Sequence, residues 1–266
     1  MTDSPGPLSH LRVIDLTVFA QGAVAGQLLR EFGADVIKIE RPTGDPGRRL
    51  SVVAPDRSTF FEPLNRGKRG VVLDLKNEGG REVFMRLAEG ADVLVHNLSV
   101  GVMERLGLGY EEVAEINPSI VYAHGTGLGT QGPDAELGVV DLIGQARGGL
   151  ASVTGTEQPT PAGAILSDHL GGMYLLVGIL AALVHRERTG EGQFVESSML
   201  GALIAVQGWE FSHHLITGEV PERSGHGHHL LAGFGVSMRR PTATSHSRAS
   251  PWRHGTASVR CSGHRN

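Results

Sequence analysis

Residues 11–40 alternate strand, helix and strand, and that order restricts the fold more than any other feature of the chain. Leu11–Thr17 (LRVIDLT) is an apolar run of strand length. Gly22–Phe32 places Val24, Leu28, Leu29 and Phe32 at helical spacing, and Gly33 stands where a helix-ending glycine is expected. Asp35–Glu40 (DVIKIE) is a second apolar strand. Two strands joined through a helix run parallel, and parallel strands need helices over both faces. The unit recurs. Val71–Leu75, Asp92–Val95, Ser119–Ala123 and Gln193–Ser197 read as strands. Gly79–Glu89, Val102–Leu106, Tyr110–Ile116, Asp168–Arg188 and Ser198–Ile216 read as helices, with Asn117-Pro118 and the turn Thr189–Gly192 as breaks. The pattern predicts an α/β fold with a Rossmann-like parallel sheet and helices on both faces. Two loops, Arg41–Gly70 and His124–Gly138, are too long to be simple connections, and loops of that length usually carry function.

Several classes are disfavoured. The formal net charge is −4, which argues against general nucleic-acid binding. A single cysteine, Cys261, forbids a disulfide framework within the chain. The opening MTDSPGPLSH has no apolar h-region, so no secretory signal is expected and the reading points to the cytoplasm. The longest apolar run, Leu170–Val184, is broken by Gly171, Gly172 and Gly178 and is short of the ~20 residues a bilayer requires. A buried core helix is expected there, not a membrane span.

The character changes near residue 236. Ser237–Asn266 holds six of the 24 Lys+Arg and none of the 28 Asp+Glu, so the first 236 residues carry −10. This stretch has no lysine, no leucine and no period, and it is expected to find no stable packing. Between a basic tail for an acidic partner and an out-of-frame end, the abrupt change favours the latter.

Four local patterns suggest chemistry. Gly127-Leu-Gly129-Thr-Gln-Gly132 matches a dinucleotide fingerprint, but Pro133 follows and the match is not in the first strand-to-helix turn, so it is set aside. His213, His214, His226, His228 and His229 cluster without cysteine or a carboxylate pair, so surface histidines are expected rather than a metal site. Lys38, Arg41, Arg48, Arg49, Arg66, Lys68, Arg69 and Lys76 supply cations near successive strand ends, where an α/β sheet binds its ligand; a polyphosphate would need them. Asp168 opens an apolar helix, either as its N-cap or as a working carboxylate. Gly171 and Gly172 tilt the balance to the second, since they would let a ligand approach the backbone.

Long strings in order carry a resemblance: LRVIDLT with LLREFGADVIKIERP, then NRGKRGVVLDLK, then ADVLVHN with GVMERLGLGYEEV and NPSIVYA. They continue through GQARGGLASVTG to SDHLGGMYLLVGILAALVHRERTGEGQFVESSML. From about residue 9 to about residue 217 the chain resembles the class III CoA-transferases, which include formyl-CoA and carnitine CoA-transferases. The resemblance implies an enzyme that moves coenzyme A from an acyl-CoA donor to a carboxylic acid, with no prosthetic group and no metal. It places the family's nucleophile on Asp168. It places coenzyme A contacts on Ala20, Gln21, Arg41, Leu73, Asp74, Leu75, Lys76, Asn97, Leu98, Ser99 and Arg105. The implied mechanism runs through a mixed anhydride and an aspartyl-CoA thioester, with helix N-terminal N–H groups holding the oxyanions.

The resemblance also implies a homodimer, and a large domain over 1–217 followed by a linker from 218 to 236. The family's small second domain is not recognisable after that, and 237–266 is left as a tail. Two motifs depart from the family. Asn97-Leu98-Ser99-Val100-Gly101 stands for Asn-Phe-Arg-Pro-Gly, and Val139-Val140-Asp141 for Gly-Tyr-Asp. The alternative functions are an α-methylacyl-CoA racemase-like isomerase and a non-catalytic CoA-binding fragment. The racemase uses a His-Asp pair where this chain has Val140-Asp141, which favours transfer.

Overall fold

The computed structural model describes residues 6–223, 225 and 227–231. In chain order its strands are β1 (Arg12–Leu16), β2 (Asp35–Glu40), β3 (Val52–Ala54), β4 (Arg57–Ser58), β5 (Arg69–Val72), β6 (Val93–His96), β7 (Val121–Thr126) and β8 (Gln193–Ser198). Its helices are α1 (Gln21–Glu31), α2 (Phe61–Asn65), α3 (Glu78–Glu89), α4 (Val102–Arg105), α5 (Tyr110–Ile116), α6 (Asp141–Arg147), α7 (Leu150–Val153), α8 (Leu166–Thr189), α9 (Met199–Val206) and α10 (Gly208–Thr217). Strands β3 and β4 pair antiparallel by themselves. The other six form one sheet ordered β5-β2-β1-β6-β7-β8, and every neighbouring pair is parallel. Strand order therefore reverses direction between β1 and β6, which is the doubly wound arrangement.

Apolar strands demand cover on both faces, and both receive it. On one face Val13, Leu29, Val36, Leu175 and Ile179 pack between the sheet and helices α1 and α8. On the other, Ile14, Leu94 and Tyr122 meet Phe84, Met103 and Val113 from α3, α4 and α5. Helix α8 is long and apolar enough to cross a membrane by composition alone. It lies on the sheet instead, with Leu175, Leu176, Ile179, Ala182 and Leu183 buried, while Met173, Val177 and Val184 are exposed.

The expected α/β fold is what the chain adopts, with local differences. Strand β5 stops at Val72, not Leu75, because the Asp74 carboxylate takes the Lys76 N–H (3.1 Å) and turns the chain toward α3. Strand β7 continues through His124, Gly125 and Thr126, residues expected in a loop, because β8 pairs with it as far as Thr126 and Ser198. The helix expected over Ser198–Ile216 breaks at Gln207, whose amide donates to the Gly148 and Leu203 carbonyls (2.8 and 2.9 Å). Helices α6 and α7 were not anticipated. The expectations for Ser237–Asn266 and for His226 lie outside the described residues.

Candidate functional site

The site is built at the point where strand order reverses. Between β1 and α1 the chain makes the turn Val18-Phe19-Ala20, and Asn97, the first residue after β6, clasps it. The Asn97 side chain accepts the Val18 N–H (2.7 Å) and donates to the Val18 carbonyl (2.8 Å). Phe19 is thereby held at φ +57°, a left-handed conformation that costs a bulky residue about 1–3 kcal/mol. Its N–H points to Asp45 at 3.4 Å, and the residue is 45% exposed. The strained residue sits at the strand-order switch, between the two parts of a cleft, and nothing in the sequence signalled it.

A cleft opens on either side of this turn, and Val18, Phe19 and Leu98 line both parts. One lobe, of about 600 Å³, is walled by Arg41, Leu73, Asp74, Leu75, Lys76 and Arg105. The other, of about 730 Å³, is walled by Gln21, Asn97, Ser99, Val140, Asp141 and Asp168, among others. Three loops distant in sequence are thus brought together. Of the contacts the resemblance implied, Ala20 alone lines neither lobe; it is fully buried. Gln21 reaches the lobe, but its side chain is committed elsewhere, donating to the Thr126 carbonyl (2.9 Å). Asn97 acts on the turn rather than on open space.

Apart from Arg49, which donates to the Thr43 carbonyl (3.0 Å) and lines neither lobe, the expected cation cluster separates into two kinds. Lys68 is buried against Asp15 (2.7 Å), and Lys38 is buried against Asp45 (3.0 Å). Burial acts to raise the Asp15 carboxyl, but Lys68 and Lys38 outweigh it and hold it below the ordinary range. Arg48 pairs with Glu40, Arg66 with Glu31 and Arg69 with Asp35. These cations are spent on the fold. Arg41, Lys76 and Arg105, which face the smaller lobe, have no ion-pair partner among the described residues.

Asp168 is the third residue of α8 and not its N-cap, which is Ile165 without a side-chain cap. Capping comes from Asp141, at the start of α6. One Asp141 oxygen accepts the Ser167 N–H (2.8 Å), the Ser167 hydroxyl (2.8 Å) and the Asp168 N–H (3.2 Å). The other accepts the Gln145 amide (2.6 Å). Burial pushes the Asp168 carboxyl up to about 6, and the Asp141 charge adds to the rise. His169 and the Gln21 backbone N–H act the other way. The first-turn N–H groups of α8 are therefore occupied, contrary to the expected oxyanion role, and the N–H facing the Asp168 carboxyl comes from α1. Gly171 and Gly172 also play a different part from the one expected. A Cβ at Gly172 would lie 2.3 Å from the Gln21 carbonyl oxygen, and one at Gly171 would lie 2.9 Å from the Gln21 amide nitrogen. They let α8 press on α1, which brings Asp168 to Gln21.

Two other patterns resolve. The Gly127–Gly132 string follows β7, and no helix opens until Asp141, so it cradles no dinucleotide. The histidines do gain a carboxylate that the spacing did not reveal: Glu210, His228 and His229 converge with donor atoms within 4.8 Å. His228 Nε2 pairs with Glu210 (2.9 Å) while its Nδ1 accepts the Leu230 N–H (3.3 Å). That second bond puts the ring proton on Nε2, facing Glu210, so the contact reads as a hydrogen bond from the imidazole to the carboxylate rather than as part of a metal-ligand set.

With this geometry in hand, similarity to known proteins is informative. Residues 8–237 match the model of CoA-transferase family III. The acetyl-CoA:oxalate CoA-transferase of Acetobacter aceti is 41% identical over 235 residues, covering 87% of this chain and 60% of that protein. The formyl-CoA:oxalate CoA-transferase of Escherichia coli is 40% identical over 202 residues, covering 74% and 49%. Among solved structures, a CaiB/BaiF family protein from Brucella suis superposes with a TM-score of 0.81 at 34% identity, covering 85% of this chain and 61% of that one. The chain thus spans about 60% of the length of the first relatives it matches.

Proposed function

This chain belongs to CoA-transferase family III, and from that premise we propose that it carries the coenzyme A site and the nucleophile of an acyl-CoA:carboxylate CoA-transferase. The observation that supports the reading is the pairing of two unlike lobes across one strained turn. The smaller lobe presents Arg41, Lys76 and Arg105 without ion-pair partners among the described residues, which suits the phosphates of coenzyme A. The larger presents Asp168, a carboxylate whose pKa is raised to about 6, at the far side of Phe19. In this reading residues 1–217 act as the large domain, the assembly is a homodimer, and coenzyme A thioesters are substrates with no prosthetic group.

The chemistry then runs as two exchanges. The Asp168 carboxylate attacks the donor thioester carbonyl; the C–S bond breaks, and coenzyme A thiolate leaves an acyl-aspartyl anhydride. The thiolate attacks the Asp168 carbonyl and releases the donor acid as its carboxylate, forming an aspartyl thioester. The acceptor carboxylate attacks that thioester, and the released thiolate takes the new acyl group, restoring Asp168. A raised pKa strengthens a carboxylate nucleophile, and at neutral pH a group of pKa about 6 is still mostly ionised. The Gln21 N–H, facing the same carboxyl, is the donor placed to hold the oxyanion that forms there.

Isotope exchange between a labelled carboxylic acid and its CoA thioester tests the proposal, with hydroxylamine added to trap the acyl-aspartate. A hydroxamate mapped to Asp168, and loss of exchange in Asp168→Asn, is the expected result. Deuterium loss from the carbon α to the thioester, without acid exchange, would support the isomerase reading instead. Exchange retained in Asp168→Asn refutes the assignment.

A further inference from the structure

We propose that the larger lobe accepts an apolar monocarboxylic acyl group and rejects an acyl group bearing a second carboxylate. This rests on the reading of Asp168 as the nucleophile of a CoA-transferring site and names the substrate class of that site.

The argument is one of charge and surface. The lobe next to Asp168 is walled by Phe19, Phe60, Leu137, Val140, Leu142 and Met199, with further small and apolar residues between them. Among the described residues that line it, none is lysine, arginine or histidine. Its two ionisable groups are both acids, Asp141 and Asp168. Among the described residues, the cations of the cleft that have no ion-pair partner all lie in the other lobe. His169 neighbours Asp168 in sequence, but its Nδ1 meets the Ile165 carbonyl (3.0 Å) and the ring does not line the lobe. The free carboxylate of a dicarboxylic acyl group would therefore leave water for a wall with no cation, beside two carboxylates. Like charges sharing a partly buried site oppose one another; burial raises the Asp168 carboxyl, and the Asp141 charge already adds to that rise. An aliphatic or aromatic acyl chain meets the opposite situation. Val140 and Leu142 are 62% and 59% exposed, so they have surface still to bury. Each methylene laid against such a wall should tighten binding by about four-fold when fully covered.

Calorimetric titration of the purified full chain with coenzyme A, acetyl-CoA, hexanoyl-CoA and succinyl-CoA at one ionic strength tests this. Hexanoyl-CoA should bind at least about ten-fold more tightly than acetyl-CoA, allowing for incomplete cover of the four added methylenes. Succinyl-CoA should bind no more tightly than acetyl-CoA. A flat acetyl-to-hexanoyl series, or a preference for succinyl-CoA, with coenzyme A itself still binding, overturns the substrate class alone. Failure of coenzyme A to bind removes the CoA-site reading, and this inference with it. Val140→Arg puts a cation on an exposed position of the wall. It should tighten succinyl-CoA by about two- to five-fold and weaken hexanoyl-CoA. No change with either thioester would place the acyl group elsewhere and overturn the inference, provided circular dichroism shows the variant folded.

Discussion

Replacing Asp168 with asparagine should make the protein more stable while removing the proposed activity. Burial and the Asp141 charge hold the Asp168 carboxyl at about 6, whereas in an unfolded chain an aspartate titrates near 4. Between those two values the native state keeps a proton that the unfolded state has lost. Stability therefore falls as pH rises from about 4 to about 6 and is level above that. A rise of about two units corresponds to ~3 kcal/mol at neutral pH. Asp168 lines an open cleft, and water screening reduces the figure to ~1–2 kcal/mol. Asparagine has the same shape, carries no charge and can still accept the Gln21 N–H. The helix loses no cap, since Asp141 supplies it. Thermal unfolding at pH 7.5 should thus show Asp168→Asn melting about 3–6 °C above the parent. The gap should close below pH 4, where the parent carboxyl is protonated in both states. A lower melting temperature at pH 7.5, or a gain that persists unchanged at pH 3.5, refutes the reasoning. Gain of stability with loss of exchange is the pattern expected when a fold holds a destabilised group for use.

Asp141→Ala strips the side-chain acceptor from the Ser167 and Asp168 N–H groups, while the Ser167 hydroxyl and the Gln145 amide keep the Asp141 and Ala164 carbonyls; chemical denaturation should show a loss of ~2–4 kcal/mol, each orphaned N–H contributing ~1 kcal/mol or more. Arg41→Ala, Lys76→Ala and Arg105→Ala should each weaken coenzyme A binding by about five-fold, and the decline of affinity with added salt should become shallower, as titration across a salt series will show. Gly172→Ala drives a methyl to within 2.3 Å of the Gln21 carbonyl oxygen; α8 must withdraw from α1, and a stability loss of ~1–3 kcal/mol is expected by thermal melting.

The sheet was legible because its strands are short apolar runs with helices between them, and register follows once both faces need cover. Asp35–Glu40 and Tyr110–Ile116 fall on the residues expected. What pattern could not supply was partnership across distance. Lys38 and Lys68 look like Arg41 and Lys76 in sequence, yet the first two are sealed against Asp45 and Asp15 while the others face the cleft. Only the packing of α1, on β1 and β2 and against α2, decides which cation is sealed. Glu210 likewise joins His228 through a return of the chain that no spacing rule encodes. Phe19 was invisible for another reason. Its value lies in a backbone angle imposed by Asn97, and a phenylalanine carries no marker of φ.

The two readings of Asp168, cap and nucleophile, make different physical demands. At a helix start, one aspartate cannot serve well both as cap and as nucleophile. A capping carboxylate accepts backbone N–H groups, and those bonds stabilise its anion, lowering its basicity and with it its reactivity. In the proposed reading the chain divides the two tasks between residues 27 apart in sequence. Asp141 takes the first-turn donors of α8, and its charge then adds to burial in raising Asp168. Asp168, two residues past the first helical position, keeps its oxygens for the cleft apart from the Gln21 N–H. Removing Asp141 should therefore do two separable things. Asp141→Asn can still accept the Ser167 and Asp168 N–H groups through its amide oxygen, so α8 keeps much of its start. It cannot repel the Asp168 charge, so the Asp168 pKa should drop part of the way, with burial, the larger cause, still holding it up. The acidic limb of the pH–rate profile for exchange should shift to lower pH with Asp168, and the maximal rate should fall as the nucleophile weakens. An unchanged acidic limb in a folded Asp141→Asn protein would show that Asp141 acts on the helix alone.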